Sequence, residues 1–303
     1  MRPDPSGAAV PALSGADLLR SAPSLAQHAQ LVVDDFAHIP GWQMTPEQMF
    51  ALAQRVQTHL GNPQVAGVVV THGTDTIEET AYLLDLTLTA EQPVAVVGAM
   101  RHSAEPSWDG PANLLAAVRT AAAPQARDQG VLVVLHNQIH AASGVRKTDS
   151  AALDTFKSPF GPLGIVDDDG VFFHRRSWRR CHIPAKTIVT PVDLIKVAAG
   201  SDDRLIRASV TSGAKGLVIE GFGRGHLPPK AVDGVRFARE QGLPVVLCSR
   251  CAAGRVLDTY GGVGGGRDLR AMGVIFGGDT SGPQARIQLM LALGAGGNVA
   301  EYF

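Results

Sequence analysis

Short apolar runs alternate with segments of helical period along most of this chain, and no other feature restricts the fold as much. Residues 30–36, 67–71, 94–97 and 131–135 read as strands. Between and after them, residues 45–60, 76–86 and 111–123 repeat apolar side chains at helical spacing, so the order is strand, helix, strand. Such an order builds a doubly wound, mostly parallel sheet with helices on its faces. The helix at 45–60 carries its own start signal, with Thr45 as N-cap and Pro46 at the first helical position. Met49, Leu52, Val56 and Leu60 then fall on one face.

The pattern breaks over residues 167–190, which hold an Asp-Asp-Asp-Gly run, the basic cluster Arg175, Arg176, Arg179 and Arg180, and scattered prolines. A linker at 179–190 therefore separates a larger N-terminal α/β domain, 1–178, from a smaller C-terminal α/β domain, 191–303. Strands are expected in the latter at 192–198, 216–220, 245–248 and 273–276, with a closing helix at 284–293. A doubly wound domain opens with a buried strand whose carboxyl end carries ligand-binding residues. This chain instead opens with about a dozen polar, Pro/Gly-rich residues, so the first strand is expected to be missing.

Composition narrows the function. With 45% hydrophobic and 18% charged residues, a net charge of -1 and a pI near 6.8, no global field draws phosphate backbones or anionic lipid. Nucleic-acid and membrane partners are not expected. The apolar runs are strand-length, the first residues lack a secretory signal pattern, and three cysteines do not make an all-paired framework. These features point to the cytoplasm. Cys248 and Cys251 have redox-motif spacing, but a core thiol explains Cys248 better, and His136 with His140 leaves a strand for a loop rather than sharing a helix face. No metal and no cofactor are expected.

The chemistry concentrates in Thr71-His72-Gly73-Thr74-Asp75-Thr76-Ile77-Glu78-Glu79-Thr80, where a strand turns into a helix. Asp75 and Glu78 alone fit a capping box. Capping gives no reason for Thr71, His72, Thr74 and Thr76 to gather at one switch-point turn, where helix N–H groups favour a ligand.

Residues 71–86, THGTDTIEETAYLLDL, closely resemble the second signature of bacterial-type L-asparaginases and glutaminase-asparaginases. Val97-Gly98-Ala99-Met100-Arg101 and Asp109-Gly110-Pro111-Ala112-Asn113-Leu114 resemble that family's GAMR and DGPxNL stretches, and Arg146-Lys147-Thr148 with Thr155-Phe156-Lys157-Ser158 resembles its catalytic-lysine region. With residues 273–278 and 285–286, the resemblance spans nearly the whole chain. It implies hydrolysis of L-asparagine to L-aspartate and ammonia, with L-glutamine as a possible substrate, by a threonine nucleophile. Thr74 would attack, Lys147 would take or relay its proton, and Asp75 would pair with the substrate α-ammonium. Backbone N–H groups near Gly73 and Ala99 would face the oxyanion. It further implies a homo-oligomer, a dimer of dimers, with polar residues of one subunit completing the partner's site.

The sequence departs from that family in four places. No TGGTI-like loop, source of the usual first nucleophile, is present, which leads to the expectation that Met1 is an internal start. No flexible-loop tyrosine falls at 8–11. Gly41 and Trp42 stand before Gln43 where a substrate-contacting serine is expected, and the GxGNGN-like loop reads Gly221-Phe222-Gly223-Arg224-Gly225-His226. Gly41, Trp42, Gln43 and His226 are therefore candidate substrate contacts of altered chemistry. Arg224 and His226 would equally suit a glycine turn with two solvated side chains. The competing readings are a catalytically impaired, N-terminally truncated homologue that only binds an amino acid amide, and a truncated gene product. Amidotransferases acting on charged tRNA rank last.

Overall fold

The structure, a computed structural model, describes residues 2–3, 6, 9–10, 13–177 and 181–303. It divides into two compact units, Met1–His182 and Ile183–Phe303. In the first, β1 (Arg2–Pro3) and β2 (Ala9–Val10) form a small antiparallel pair, and α1 (Gly15–Ser21) starts from a Ser14/Asp17 capping box. The helix α2 (Pro46–Leu60) has a reciprocal cap as well. Thr45 Oγ1 accepts from the Gln48 N–H at 3.3 Å, while Gln48 Oε1 accepts from the Thr45 N–H at 2.9 Å. Two otherwise orphaned donors are thereby satisfied. Its apolar stripe of Met49, Leu52, Val56 and Leu60 is buried.

Then come β3 (Val68–Thr71), α3 (Ile77–Thr87), β4 (Val94–Val97), α4 (Gly110–Ala122), β5 (Val131–Leu135), β6 (Gln138–Ala141), β7 (Arg146–Lys147), β8 (Phe156–Lys157), β9 (Gly164–Asp167) and β10 (Gly170–Phe173). Six of these make one sheet in the order β10-β9-β6-β5-β4-β3. The β3, β4 and β5 ladder is parallel, and β6, β9 and β10 extend it antiparallel. Every residue of β4 and β5 is buried, which explains their unbroken apolar runs. The two-residue turn His136-Asn137 has φ of 50° and 58°, the geometry that suits a tight hairpin. It turns the chain from β5 into β6.

One expectation fails here. Residues 30–36 do not form a strand. A strand is a pairing and not a propensity, and among the described residues β3 pairs only with β4. No ladder receives the 30–36 segment, and Val32 is 88% exposed. The segment is held instead through its acids. Gly15 N–H donates to Asp35 at 2.9 Å, and Arg55 donates to Asp34 at 2.6 Å. The Asp-Asp-Asp-Gly run lies within the first unit, ahead of the expected linker at 179–190. Asp167 pairs with Gly170 in the β9–β10 hairpin, so the acidic run is its turn, because the residues that mark linkers also make tight turns. Arg175 donates to the carbonyls of Phe160 and Pro162. Arg179, Arg180 and the start of the expected linker lie outside the described residues, as do Ala8 and Pro11, which bound the position of the absent tyrosine.

The second unit contains β11 (Val192–Lys196), α5 (Arg204–Thr211), β12 (Gly216–Gly221), α6 (Pro229–Glu240), β13 (Val245–Ser249), α7 (Gly266–Ala271), β14 (Ile275–Phe276) and α8 (Gly282–Ala295). Its four strands run parallel in the order β11-β12-β13-β14. The architecture is thus α/β throughout, with a larger mixed sheet first and a smaller, wholly parallel one second. Among the described residues no helix is long and apolar enough to cross a membrane.

Candidate active site

The turn after β3 leaves the carboxyl end of a parallel strand, the position where open α/β sheets collect ligand-binding groups. A short 3-10 turn, Thr74–Thr76, leads directly into α3. His72 braces it from beneath. Burial drives the His72 imidazole below its ordinary pKa, so the ring is neutral. Its Nδ1 donates to the Gly73 carbonyl at 2.8 Å, which leaves Nε2 to accept from the Thr80 hydroxyl at 2.9 Å. A second brace comes from the 3-10 turn Gly41–Gln43, because Thr76 Oγ1 donates to the Gly41 carbonyl at 2.7 Å.

The main chains approach closely enough to require glycine. A Cβ on Gly73 would lie 2.5 Å from Gly41 N, and one on Gly41 would lie 2.9 Å from Gly73 O. On the other side, a Cβ on Gly98 would lie 2.6 Å from His72 O and 3.0 Å from Thr74 Cγ2. The turn after β4 therefore abuts Thr74. Asp109 fixes that turn by accepting from the N–H groups of Met100 and Arg101 at 3.0 and 2.9 Å. Asn113 Nδ2 donates to Gly98 O and to Asp109, and its Oδ1 accepts from the His136 N–H at 2.9 Å. The Asp109-Gly110-Pro111-Ala112-Asn113 motif is scaffolding for Gly98 and Ala99.

Lys147 reaches the same turn from β7, 73 residues along the chain. Its Nζ lies 3.0 Å from Thr74 Oγ1 and 2.8 Å from Asp75 Oδ1. A hydroxyl, an amine and a carboxylate thus stand in hydrogen-bonded series, the arrangement that activates a weak hydroxyl nucleophile. The Lys147 side chain is 18% exposed and that of Asp75 48%, so solvent reaches the acid more than the amine. Glu78 lies behind them and accepts from the Lys147 N–H at 2.7 Å. Burial raises its carboxyl pKa, opposed by that hydrogen bond and by the charges of Arg146 and Lys147.

Comparison with known proteins fixes the lineage. A profile described as "Asparaginase, N-terminal" matches residues 1–179, and one described as "Glutaminase/Asparaginase C-terminal domain" matches 191–302. The chain belongs to the L-asparaginase and glutaminase-asparaginase family. It is 35% identical over 283 residues to an L-asparaginase of Bacillus licheniformis, covering 93% of this chain and 88% of that one. A glutaminase-asparaginase of Pseudomonas fluorescens is 34% identical over 244 residues, covering 78% and 67%. Among solved structures, that of a probable cytoplasmic L-asparaginase from Campylobacter jejuni superposes with a TM-score of 0.88 at 33% identity, covering 96% of this chain and 91% of that one.

Within this asparaginase-family chain, the structure brings together Gly41, Gly73, Thr74, Asp75 and Lys147, with Ala99 on the turn that abuts Thr74. Trp42 and Gln43 sit on the same 3-10 turn as Gly41, both exposed. Gly41 takes part through its carbonyl, since no side chain fits there. His226 belongs to the second unit, where it bridges to Phe222 and meets Tyr260 edge-on at 4.9 Å. Its Nε2 is buried and has no hydrogen-bond partner among the described residues. Sequence reading did not assign His72, Asp109, Asn113 or the destination of Glu78. The Asp109 and Asn113 spacing, i to i+4, was the one available signal.

Proposed function

We propose that the chain hydrolyses the side-chain amide of a small amino acid, L-asparagine before L-glutamine, with Thr74 as nucleophile. The observation that carries this reading is the Thr74–Lys147–Asp75 series, with Nζ 3.0 Å from the hydroxyl. In the forward step Thr74 Oγ1 bonds to the amide carbon while its proton passes to Lys147 Nζ in the neutral amine form. The developing oxyanion faces the N–H groups beside Gly73 and Ala99. Collapse breaks the C–N bond, ammonia leaves with a proton returned from Nζ, and water then splits the Thr74 ester to give the free carboxylate. Asp75, the more exposed partner, exchanges Nζ for the substrate's α-ammonium, which sets the substrate's register. In a homo-oligomer built as a dimer of dimers, His226 of a neighbouring subunit would supply a further polar contact. A cytoplasmic setting accords with this chemistry.

A second reading is an amide-binding chain without turnover. It is favoured by the edge of β3, which among the described residues pairs only with β4, and by the exposed segment at residues 30–36 that joins no ladder there. Ammonia release from L-asparagine and L-glutamine, measured on this chain, on Thr74→Ala and on a form extended upstream in frame, tests both. Release that Thr74→Ala abolishes supports the first reading. Silence of both folded forms, with a melting temperature that L-aspartate still raises, supports the second.

A further inference from the structure

Asp75 and Glu78 have the spacing of a helix cap, yet neither caps the turns that begin at Gly73 and Thr76, where no side-chain cap bond forms. Both carboxylates go to one distant residue. Asp75 Oδ1 holds Lys147 at Nζ, 2.8 Å away, while Glu78 Oε2 holds it at the main-chain N–H, 2.7 Å away. Lys147 is thus gripped at both ends by a single helical start.

The second grip matters because of where Lys147 sits. β7 and β8 are two residues each and form a sheet of their own, apart from the six-stranded one. A ladder that short fixes little by itself. In an antiparallel pair alternate N–H groups face the partner strand. The Thr148 N–H bonds to the Thr155 carbonyl, so the N–H of Lys147 points away from β8, and Glu78 meets it on that side. A lysine side chain has four rotatable carbons, and the reach of Nζ to Thr74 depends on its Cα being held.

We infer that Glu78 is a positioning residue, whose acceptor oxygen clamps the Lys147 main chain so that Nζ is presented to the Thr74 hydroxyl. This rests on the reading of Thr74 and Lys147 given above. It assigns Glu78 a geometric task in which reach counts and negative charge does not.

Two conservative variants separate reach from charge. Glu78→Gln keeps the length and an acceptor oxygen but loses the charge; Glu78→Asp keeps the charge but falls one methylene short. The full chain is assayed for kcat and KM in amide hydrolysis, and for acetylation of Lys147 by acetic anhydride followed by peptide mass spectrometry, with thermal melting as the folding control. Glu78→Asp is expected to lower kcat about 10- to 100-fold with KM nearly unchanged, because displacing a reacting group by about 1 Å has that effect. Its Lys147 is also acetylated at a changed rate, whereas Glu78→Gln stays within about threefold of the parent in both readouts. Glu78→Asp at parental kcat and labelling, or Glu78→Gln as impaired as Glu78→Asp, overturns the clamp. Should Thr74→Ala and Lys147→Ala leave hydrolysis intact, the reading of the site falls, and the labelling arm alone decides the clamp.

Discussion

The turn after β3 and the turn after β12 occupy equivalent places at the carboxyl ends of parallel strands, yet they are held by different means. The first is a web of side chains. His72, Thr76, Asp75 and Glu78 bond to Gly73 and Thr80, to Gly41 and to Lys147, partners up to 72 residues away. The second is held mostly by main-chain bonds, with Phe222 N–H donating to His226 O, His226 N–H returning to Phe222 O and Leu257 N–H donating to Arg224 O, with one side chain, Ser249 Oγ, donating to Gly223 O, and with Gly223 and Gly225 at φ of 47° and 101°. A turn held by remote side chains can place reacting groups to a fraction of an ångström.

The largest expected effect belongs to the first turn. Lys147→Ala should lower ammonia release about 1,000-fold, equivalent to about 4 kcal/mol of transition-state stabilisation, and leave the melting temperature close to the parent. A variant that keeps a tenth of the rate would break the contrast. The second turn should answer in stability instead. At Gly225 an added Cβ would lie 2.8 Å from Leu247 Cδ2 on a backbone that side chains rarely adopt, so Gly225→Ala should cost about 3 kcal/mol in urea unfolding. If it is tolerated, the glycine geometry is not what holds that loop.

A third test uses acid. Burial, helped by the charge of Lys157, pushes His140 down to about 4 from its ordinary 6.5. Its Nε2 lies 3.1 Å from Gln138 Oε1 and its Nδ1 2.9 Å from Ser158 Oγ, which links β6 to the end of the β7–β8 hairpin. Above pH 6.5 the ring is neutral folded or unfolded and contributes no pH dependence. As pH falls from 6.5 toward 4 only the unfolded chain takes the proton, so stability is lost, by about 2 kcal/mol at pH 5. His72 shifts in the same direction. Urea midpoints at pH 7.5 and pH 5 should therefore separate for the parent and draw closer together for His140→Asn; an unchanged separation would remove His140 from the account.

The smallest effect concerns the orphaned nitrogen of the second turn. His226→Phe removes a buried unsatisfied group and should raise stability by about 1 kcal/mol in dilute, dissociated protein. A fall in ammonia release in the same variant would show that the nitrogen finds its partner at an assembled site.

Legibility in the sequence followed the range of the interactions. The α2 cap, its buried face and the β4 and β5 runs depend on neighbours within a few residues and could be read directly. The gathering of Thr74 and Asp75 at one strand-to-helix turn could be read as well, because both lie within that turn's own few residues. Glu78 could not, since its i, i+3 relation to Asp75 fits a local cap equally well and its true partner is 69 residues away. Residues 30–36 misled for the complementary reason. Their composition suits a strand, but whether a strand forms depends on a neighbour to pair with, which composition does not contain. The Asp167–Gly170 turn was legible as punctuation, although not as a hairpin, because the same residues serve both uses.

The glycines around Thr74 also bear on how such a site can diversify. Gly41 and Gly73 present bare backbone to each other, and Gly98 to the His72 carbonyl and the Thr74 methyl, so much of the wall around Thr74 has no side chain for mutation to alter, and a random library would lose folded members at those three codons. Variation around Thr74 then falls to neighbours with room for other side chains, the exposed Trp42 and Gln43 foremost. The turn combines a floor fixed by close main-chain approach with a rim of exposed side chains, so sequence change there is channelled to the rim.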